Sequence, residues 1–448
     1  MNKEKVTRRN FLRTTGTGAT LAAVAGSAPA VLAAKSPNDT IGVGHIGLGV
    51  RGGTLVSEVA GRQLGGGIPG TKVVAVSDVY KPHMEKGAQR SMNPEVKQYV
   101  DYQDLLADPN VDVVVIATPD HWHAQMLIDA SNAGKDIYIE KGWTRTIEEA
   151  KKMRETIKKN KTIMQLGHQS RGQKAGVQAK ELIAQGLLGP VHFVRTGRYT
   201  NNPMGRNIYR WYGWYDHYER PDQGFVVENL DWKRWLGPVG KQPFSMEHFW
   251  HWRCYWDYGT GVAGDLLSHE IDFVHAMLGH GIPDSCTCTG LNAMLDDGRE
   301  VPDTWITCYR FEDAQRTVTF ESTMNSSTQG QVPEFRGKEA LLRFDSIAQS
   351  VNTFWVYPEA TSQKYKDKLE SEEISTGKPM LTYDPSTTPD IPSHMQDFFN
   401  CVRSRQRPQC HEDEAFIETA TLVMSVAAYM SKREVRWDKE KEEIVIPG

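Results

Sequence analysis

Three glycines near residue 50 have the spacing of a phosphate-binding turn. Gly47, Gly49 and Gly52 follow the apolar run 41–46 and satisfy the pattern G-x-G-x-x-G. In this pattern the first glycine permits a tight turn, the second lets the backbone approach a pyrophosphate, and the third lets a helix pack closely on a strand. The free N–H groups of that helix would point at the phosphates. Because such turns also arise by chance in a chain with 39 glycines, the surrounding elements decide what this one means.

An acidic residue ends the second apolar segment. Residues 72–77 are of strand type and stop at Asp78, where a carboxylate can accept hydrogen bonds from both hydroxyls of a ribose. A 2′-phosphate beside that carboxylate would be repelled, so Asp78 favours NAD over NADP. The interval from the glycines to Asp78 exceeds the usual ~20 residues, and a loop insertion over 61–70 accounts for the excess.

The segments that must position these groups alternate between strands and helices. Residues 111–117 are almost wholly apolar, as expected of a third parallel strand buried on both faces, and residues 136–140 give a fourth. A helix is predicted from about residue 123 to 133, and Thr146 with Glu149 predicts a capping box for the next one. The alternation predicts a doubly wound parallel sheet over residues 39–165.

Three further segments are recognisable by their order and spacing. They read A-T-P-D-H-W-H-A at 117–124, E-K-G-W at 140–143 and G-T-G-V-A-G-D-L-L-S-H-E-I-D at 259–272. Together they resemble the Gfo/Idh/MocA family, which includes glucose-fructose oxidoreductase and inositol dehydrogenase, from about residue 39 to the C-terminus. The resemblance implies a Rossmann domain followed by a C-terminal domain, residues 166–448, built on a large, open, mainly antiparallel sheet.

The resemblance maps the family's catalytic lysine, aspartate and histidine onto Lys141, Asp265 and His269. Oxidation of an alcohol requires hydride transfer to the nicotinamide while a base removes the hydroxyl proton, and His269 is the expected base. If a helix begins near Gly264, Asp265 and His269 lie at i and i+4 and share a face. Asp265 would hold a neighbouring hydroxyl or favour the imidazolium, and Lys141 would bond the reacting oxygen. The alternative is a surface lysine and a core histidine.

The sequence departs from the family pattern at two positions near these residues. Gly142 replaces the family's proline after the lysine, so the backbone that presents Lys141 can differ. Leu267 stands where the family often has glycine, and its side chain would narrow the pocket.

Further ligand contacts are expected on both sides of the reacting group. The residues expected to contact the cofactor are Gly47, Gly49, Val50, Arg51, Asp78, Thr118, Pro119, His123 and Glu140. The residues expected on the substrate side are His168 and Arg171, at the crossover into the second domain, and His251 and Arg253, beside two tryptophans. No H-E-x-x-H pattern or tight carboxylate cluster occurs, so no metal is expected.

The second domain is predicted from strand-type runs and aromatic residues. Residues 191–197, 305–311, 316–323 and 341–344 indicate an antiparallel sheet. Most of the aromatic rings between residues 199 and 258 are expected to fill a core or a subunit interface, and one or two of them to line the pocket. They include Tyr209, Trp211, Tyr212, Trp214, Tyr215, Trp232, Trp235, Trp250, Trp252 and Trp256. The i, i+3, i+4, i+7 spacing of Met395, Phe398, Phe399 and Val402 predicts a packed helix.

The first 34 residues have the order of an export signal. Basic residues open the segment, apolar and small residues follow, and the pair Arg8-Arg9 precedes Phe11-Leu12, which resembles the twin-arginine signal of bacteria. A disordered basic tail is the alternative. Because the twin-arginine route carries folded proteins and free dinucleotide is scarce outside the cytoplasm, the signal predicts a periplasmic or otherwise exported protein that holds NAD tightly and regenerates it in place.

Composition bounds the class of protein and its partners. A chain of 448 residues fits two domains, and no apolar run of about 18 residues follows the first 40 positions. The formal charge is −4 and becomes more negative without residues 1–34, which disfavours nucleic acid or an anionic membrane as partner. The six cysteines include no C-x-x-C pair, so no zinc site is expected, and one or two disulfides or free thiols are both compatible with them.

Three functions are compatible with these residues. The first is hydride transfer between a secondary alcohol of a sugar, glycoside or polyol and the nicotinamide. The second is an NAD-dependent glycosidase that oxidises one carbon, eliminates the glycosidic bond and reduces the product. The third is a non-catalytic sugar-binding protein, which Gly142 favours and the retention of Lys141, Asp265 and His269 disfavours. The family often pairs its open sheets, which implies a homodimer or homotetramer.

Overall fold

The computed structural model describes residues 40–62, 66–200, 225–294, 298–328, 333–347 and 351–447. The expected export signal and five of the aromatic residues named above, Tyr209, Trp211, Tyr212, Trp214 and Tyr215, lie outside these ranges. Within them the chain forms two sheets, each packed against helices. No helix in these ranges is both long enough and apolar enough to cross a bilayer.

The first sheet is parallel throughout the described residues and has the strand order β3-β2-β1-β4-β5-β6. Its strands are β1 (Ile41–Ile46), β2 (Thr71–Ser77), β3 (Lys97–Tyr99), β4 (Val113–Ile116), β5 (Asp136–Ile139) and β6 (Met164–Leu166). Every residue of β1, β4 and β5 is buried, as their apolar sequences predict. The predicted doubly wound sheet is confirmed, with β3 and β6 added at its two edges.

Strand β3 illustrates why an edge strand can be missed. That strand has three residues, two of them exposed, so it carries no periodic apolar signal.

Helices follow the strands of this sheet in alternation. They are α1 (Val50–Ala60), α2 (Lys81–Arg90), α3 (Tyr102–Ala107), α4 (Asp120–Asn132), α5 (Ile147–Asn160) and α6 (Lys174–Ala184). Helix α4 begins three residues before the predicted start. Pro119 precedes the helix with a φ of −59°, which suits a helix entrance. Asp120 is favourable in the first turn because its negative charge lies at the positive end of the helix dipole.

Helix α5 has half of the predicted capping box. The Thr146 side chain accepts a hydrogen bond from the Glu149 backbone N–H at 3.2 Å. The Glu149 carboxylate accepts a hydrogen bond from the Thr144 hydroxyl instead of returning to the backbone of Thr146. The cap therefore still satisfies one free N–H of the first turn.

The second sheet has ten strands in the described residues, in the order β14-β13-β12-β11-β7-β10-β9-β8-β15-β16. The strands are β7 (Val191–Tyr199), β8 (Ser285–Leu291), β9 (Thr304–Phe311), β10 (Arg316–Thr323), β11 (Glu334–Gly337), β12 (Ala340–Phe344), β13 (Phe354–Pro358), β14 (Leu381–Thr382), β15 (Val435–Asp438) and β16 (Glu443–Val445). Only the pairing of β7 with β10 is parallel among those described. The expected mainly antiparallel sheet is confirmed.

Six more helices complete the described part of the chain. They are α7 (Trp232–Leu236), α8 (Met246–Trp250), α9 (Ser268–Leu278), α10 (Lys366–Glu370), α11 (His394–Ser404) and α12 (Glu412–Ser431). Helices α9 and α12 pack together against one face of the second sheet. Helix α11 instead returns to the first sheet, where Met395, Phe398 and Phe399 are buried beside β1 and β4. The C-terminal half of the chain thus contributes a helix to the first core.

All six cysteines are free thiols in the structure. Cys286, Cys288 and Cys308 lie on the adjacent strands β8 and β9, and burial raises the pKa of each thiol. Of the two alternatives that the sequence left open, the structure has free thiols.

His45 is a buried imidazole in the middle of the first sheet. It is 1% exposed, neither ring nitrogen has a hydrogen-bond partner in the described part of the chain, and burial lowers its pKa to about 3. An unfolded histidine titrates near 6.5. As pH falls from that value towards the folded pKa, the unfolded state binds a proton that the folded state excludes, so stability is lost over this window.

Replacement of His45 by leucine is therefore expected to stabilise the protein. His45→Leu should raise the free energy of unfolding by about 1–3 kcal/mol at neutral pH, since it removes a buried polar group without partners. The stability of His45→Leu should also fall less between pH 6.5 and pH 4 than that of the unmodified protein. Thermal melting at the two pH values measures this difference. His192→Leu, at an exposed position of β7, is the control. An unchanged pH dependence in His45→Leu would contradict the prediction.

Candidate active site

The glycine turn after β1 has the geometry that a bound pyrophosphate requires. Gly47 has a φ of +82°, and a Cβ there would lie 2.8 Å from the backbone of Ala117. A Cβ at Gly52 would lie 1.8 Å from the Gly47 carbonyl oxygen, because α1 packs directly on the turn. At Gly49 the nearest atom would be 3.7 Å away, on the His83 ring, so the backbone stays open to a ligand. The residues present fit a dinucleotide phosphate.

Asp78 connects the end of β2 to this turn. Its carboxylate accepts hydrogen bonds from the backbone N–H groups of Leu48, at 2.7 Å, and Tyr80, at 2.8 Å. The His83 imidazole lies 3.7 Å from the same carboxylate. The predicted ribose-binding group and the predicted phosphate-binding turn are thus brought together at the carboxyl end of the sheet, where ligands bind in open α/β folds.

A cavity of about 530 Å³ lies against the turn and Asp78. Seven of the expected cofactor contacts line it: Gly47, Gly49, Val50, Arg51, Asp78, Thr118 and Pro119. Aromatic rings line the rest, chiefly Tyr102, Trp122, Trp235, Phe249, Trp250 and Trp252. Three of these tryptophans belong to the predicted aromatic stretch, but Tyr102 and Trp122 carried no sequence signal that set them apart from core residues.

The other two expected cofactor contacts, His123 and Glu140, lie behind the cavity wall. His123 is fully buried, and its two ring nitrogens lie 2.7 Å from the Gly142 carbonyl and 2.9 Å from the Thr118 carbonyl. Glu140 accepts a hydrogen bond from Arg51 at 2.7 Å. Both side chains hold strand ends in place and neither lines the cavity, so direct contact with the cofactor has no support from this placement.

Lys141 and Asp265 are paired, although they are far apart in sequence. The Lys141 ammonium donates to the Asp265 carboxylate at 2.8 Å and to the Asp265 backbone carbonyl at 2.7 Å. Arg253 donates to the same carboxylate oxygen at 3.0 Å. The Lys141–Gly142 peptide bond is cis. The two hydrogen bonds show that Lys141, although followed by glycine in place of the family's proline, points from the end of β5 towards Asp265.

The helix that was expected to begin near Gly264 opens with a π-helical turn. Residues 263–267 form this turn, and α9 starts at Ser268. The chain is therefore wound more widely at Asp265 than an α-helix would be. Asp265 faces Lys141 and Arg253, whereas the His269 ring packs edge-on against His168, with 5.7 Å between ring centroids.

The electrostatic surroundings of His269 favour a neutral ring. Desolvation by the surrounding protein lowers its pKa well below the ordinary value, and the positive charge of Lys141 lowers it further. Asp265 acts in the opposite direction but does not outweigh them. An imidazole that is neutral at pH 7 can accept a proton, which is the state that a general base needs.

Comparison with known proteins identifies both domains. A model of the oxidoreductase family with an NAD-binding Rossmann fold matches residues 41–168, and the C-terminal alpha/beta domain of the same family matches residues 239–437. The chain belongs to the Gfo/Idh/MocA family. It carries the NAD-binding Rossmann domain and the C-terminal sheet domain of that family.

Relatives with curated names match about a third of the chain. The scyllo-inositol 2-dehydrogenase (NAD(+)) of Bacillus subtilis (strain 168) is 37% identical over 127 residues, which are 28% of this chain and 36% of that protein. The inositol 2-dehydrogenase of Salmonella typhimurium (strain LT2) is 32% identical over 163 residues, 36% of this chain and 46% of that protein. The match therefore spans less than half the length of either relative.

The fold extends over nearly the whole of a solved relative. Levoglucosan dehydrogenase in complex with NADH and levoglucosan superposes with a TM-score of 0.65 at 19% identity. The superposition covers 89% of this chain and 99% of that one. The two chains thus share one fold over most of their length.

His168 and Arg171, expected on the substrate side, lie in a buried ionic network. Arg171 donates three hydrogen bonds to the Asp272 carboxylate, at 2.6, 2.9 and 3.0 Å, and another to Glu414 at 3.0 Å. His168 lies 3.0 Å from Glu418. Burial alone would lower the pKa of His168, but Asp272 and Glu418 raise it. The Arg171 donors are used inside the protein, so its expected contact with substrate has no support from this placement.

The spacing of three groups in this network would also suit a cation. One ligand atom each from His168, Asp272 and Glu418 lies within 4.8 Å of the others. The Arg171 guanidinium already neutralises Asp272, which leaves the cluster without the excess negative charge that a divalent ion needs.

Arg253 and His251, the other two expected substrate contacts, have different surroundings. Arg253 lines the large cavity and also the narrow pocket at Lys141 and Asp265, and its guanidinium lies 4.0 Å above the Trp252 ring. His251 is buried at the end of α8 and is not among the residues that line the cavity. The structure therefore brings Arg253, but not His251, to the predicted centre.

Residues 225–258 form an aromatic cover over the large cavity. They pack as one apolar cluster with Tyr80 and contribute Trp235, Phe249, Trp250 and Trp252 to the cavity wall. Hydrogen bonds fasten the cover to the Rossmann domain on two sides. Those bonds run from the Asp231 N–H to the Val79 carbonyl at 2.9 Å, from the His121 N–H to the Tyr258 carbonyl at 3.1 Å, and from the Trp122 indole to the Trp235 carbonyl at 2.8 Å.

Proposed function

We propose that this protein is an NAD-dependent oxidoreductase that transfers a hydride between the nicotinamide and a secondary alcohol of a sugar, glycoside or polyol. The observation that carries the proposal is the pairing of Lys141 with Asp265 beside a cavity built from the glycine turn and Asp78. The named relatives support the substrate class, since they include dehydrogenases of inositol, D-xylose and levoglucosan.

The three residues would divide the work of alcohol oxidation. A bound nicotinamide supplies the hydride acceptor. As the C–H bond breaks with its electron pair, the neutral His269 takes the hydroxyl proton and the carbonyl forms. The Lys141 ammonium would stabilise negative charge on the reacting oxygen, and Asp265 holds that ammonium in position. Reduction of a ketone would use the same groups in reverse.

We also propose that NAD is held tightly, and the aromatic cover supports this. A dinucleotide in the cavity would lie between the Rossmann sheet and a segment that is hydrogen-bonded to it on two sides. Release would require the cover to detach and its aromatic rings to be exposed to water. Retained NAD favours the glycosidase as a second candidate function, because a hydride that returns to the product regenerates the cofactor without exchange.

Two measurements on the purified full-length protein distinguish these functions. We expect mass spectrometry of the denatured protein to detect a near-stoichiometric dinucleotide after gel filtration. Net NADH and a keto-sugar, followed at the nicotinamide absorbance, would support the dehydrogenase, whereas a free aglycone without net NADH would support the glycosidase. Neither product from a panel of polyols, sugars and glycosides would contradict both and leave the non-catalytic sugar-binding protein.

Retention of the dinucleotide should depend on the cover. Trp250→Ala removes a ring that lines the cavity, so we expect faster loss of NAD during dialysis than in the unmodified protein. Trp355→Ala, on β13 of the second sheet, is the matched control and should retain NAD. Equal retention in the two variants would show that the cover does not hold the cofactor.

We propose export through the twin-arginine route, on the basis of the Arg8-Arg9 pair and the apolar segment that follows it. Replacement of both arginines by lysine should keep the protein in the cytoplasm, which cell fractionation measures. Recovery of this variant from the periplasm would contradict the proposal.

We also propose that the protein is a homodimer or homotetramer that pairs its second sheets. The face of that sheet away from α9 and α12 carries exposed apolar residues, with Ile306 on β9 at 51% and Leu291 on β8 at 69% exposure. Light scattering of the purified protein tests the assembly, and a monomer would contradict it.

A further inference from the structure

Asp120 is a buried carboxylate beside Lys141 and Asp265, and it has no role in the proposed mechanism. It is 6% exposed and opens α4 directly after Pro119. No described residue donates a hydrogen bond to its side chain. A buried carboxylate without hydrogen bonds is costly, so a group that stays in this state requires an explanation.

The position of Asp120 relative to Lys141 and Asp265 follows from three glycines. A Cβ at Gly142, at Gly259 or at Gly264 would lie 3.7, 3.4 and 3.4 Å, respectively, from the same Asp120 oxygen. Gly142 follows Lys141, and Gly264 precedes Asp265. The Asp120 carboxylate therefore lies between the two backbone segments that carry the catalytic pair, in a narrow pocket that all three side chains line.

Gly142, which stands where the family has proline, borders the Asp120 carboxylate. A Cβ at Gly142 would lie 3.7 Å from the carboxylate oxygen, an ordinary van der Waals distance. The backbone at Gly142, Gly259 and Gly264 lies against the carboxylate, and the side chains of Trp252, Arg253 and Thr260 line the rest of the pocket. None of these described residues donates a hydrogen bond to the carboxylate, so a donor would have to come from a bound group.

The charges around Asp120 come from every element that packs against it. His123 on its own helix, Arg253 after α8 and Lys141 after β5 favour the ionised carboxylate, and Asp265 on the π-helical turn opposes it. Burial is the largest influence, and the net result is a pKa above the ordinary value. A hydrogen bond donated to the ionised carboxylate would lower that pKa.

We propose that Asp120 accepts a hydrogen bond from a second hydroxyl of the substrate, on a carbon next to the one that is oxidised. The inference rests on the proposed function and narrows its substrate class to compounds with vicinal hydroxyls, such as cyclic polyols and sugars, over isolated secondary alcohols. Lys141 and His269 act on the reacting oxygen, and Asp120 selects the neighbouring one.

The test combines a variant with a change in the substrate. The wild-type protein is first assayed on scyllo-inositol, levoglucosan and D-xylose, and the best of these is compared with its monodeoxy analogues. Loss of one buried hydrogen bond should lower kcat/KM of Asp120→Ala roughly 10- to 100-fold on the parent sugar. On the analogue that lacks the vicinal hydroxyl, Asp120→Ala and the wild type should be equal within about 3-fold, because the bond is already absent.

Binding supplies a readout that does not depend on turnover. Because the hydrogen bond favours the ionised carboxylate, sugar binding near the pKa of Asp120 should release a proton, and affinity should rise with pH through that range. Calorimetry in two buffers of different ionisation enthalpy measures the release. We expect it in the wild type and not in Asp120→Asn. Equal release in both proteins would refute the assignment.

Asp136→Asn is the matched control. Asp136 is only 2% exposed, and burial raises its pKa. It lies at the opposite end of β5 from Lys141, where it pairs with Arg405. The ratio of kcat/KM on the parent sugar to kcat/KM on the deoxy analogue should be the same in Asp136→Asn as in the wild type. If Asp120→Ala loses equal activity on parent and analogue while still binding dinucleotide, the inference fails but the proposed function stands. If the wild type turns over none of the sugars, both fail.

Discussion

The His269→Ala variant is expected to lose turnover by a factor of about 10²–10⁴, the usual contribution of a positioned general base. The dinucleotide should stay bound, because His269 is not among the residues that line the large cavity. Turnover should fall because the proposed base is the neutral His269 ring, which desolvation and the charge of Lys141 keep unprotonated. Steady-state kinetics and mass spectrometry of the denatured variant measure the two effects separately.

The pH profile of the unmodified protein provides a second measurement for His269. Its lowered pKa means that protonation removes the base only well below pH 6.5, so kcat/KM should remain high at pH 6.5 and fall in more acidic solution. His192→Ala, at an exposed position of β7, should leave rate and profile unchanged. Turnover of His269→Ala equal to that of the control would remove His269 from the mechanism.

Replacement of Arg171 by methionine is expected to lower the free energy of unfolding by about 3–5 kcal/mol, the cost of leaving a buried ionic partner unpaired. Arg171 is 7% exposed and Asp272 is 1% exposed, and the guanidinium supplies the charge-assisted hydrogen bonds that Asp272 accepts from it. Without the guanidinium, Asp272 would face Glu418 inside the protein with only His168 to balance them.

A matched variant separates this structural role from the substrate contact expected from sequence. Arg195→Met breaks the pair of Arg195 with Glu321 on the surface of the second sheet, where the arginine side chain is 49% exposed. Surface pairs contribute about 0–1 kcal/mol, so thermal or denaturant unfolding should hardly change. If Arg171→Met unfolds like the Arg195 variant but binds sugar weakly, the substrate role was correct and the structural one wrong.

The local features of the Rossmann domain could be predicted because each depends on residues close in sequence. The glycine turn follows from a strand, three glycines and a helix within twelve residues, and Asp78 follows from the end of the next strand. The structure confirms the parallel sheet that these elements form. The edge strands β3 and β6 were missed, because three residues are too few to show an apolar period.

The resemblance gave the candidate catalytic residues but not their arrangement. The resemblance placed Lys141 and Asp265 in one centre, and they form a hydrogen bond at 2.8 Å. An α-helix was expected from about Gly264, whereas the chain makes a π turn over residues 263–267 before α9. The backbone hydrogen-bond pattern that inserts one residue into a turn depends on the packing around it, and residue types at i and i+4 do not report it.

Sequence by itself determined the central strands of the first sheet, the turn that can hold a dinucleotide and the polar residues that the resemblance assigns to one centre. Tertiary structure alone decided which of those polar residues meet: it buried Arg171 against Asp272, folded residues 225–258 over the cavity and placed Asp120 among three glycines next to Lys141. The reason is physical. Periodicity and turn chemistry act over a few residues, whereas the partner and desolvation of a charged side chain depend on segments a hundred or more positions away.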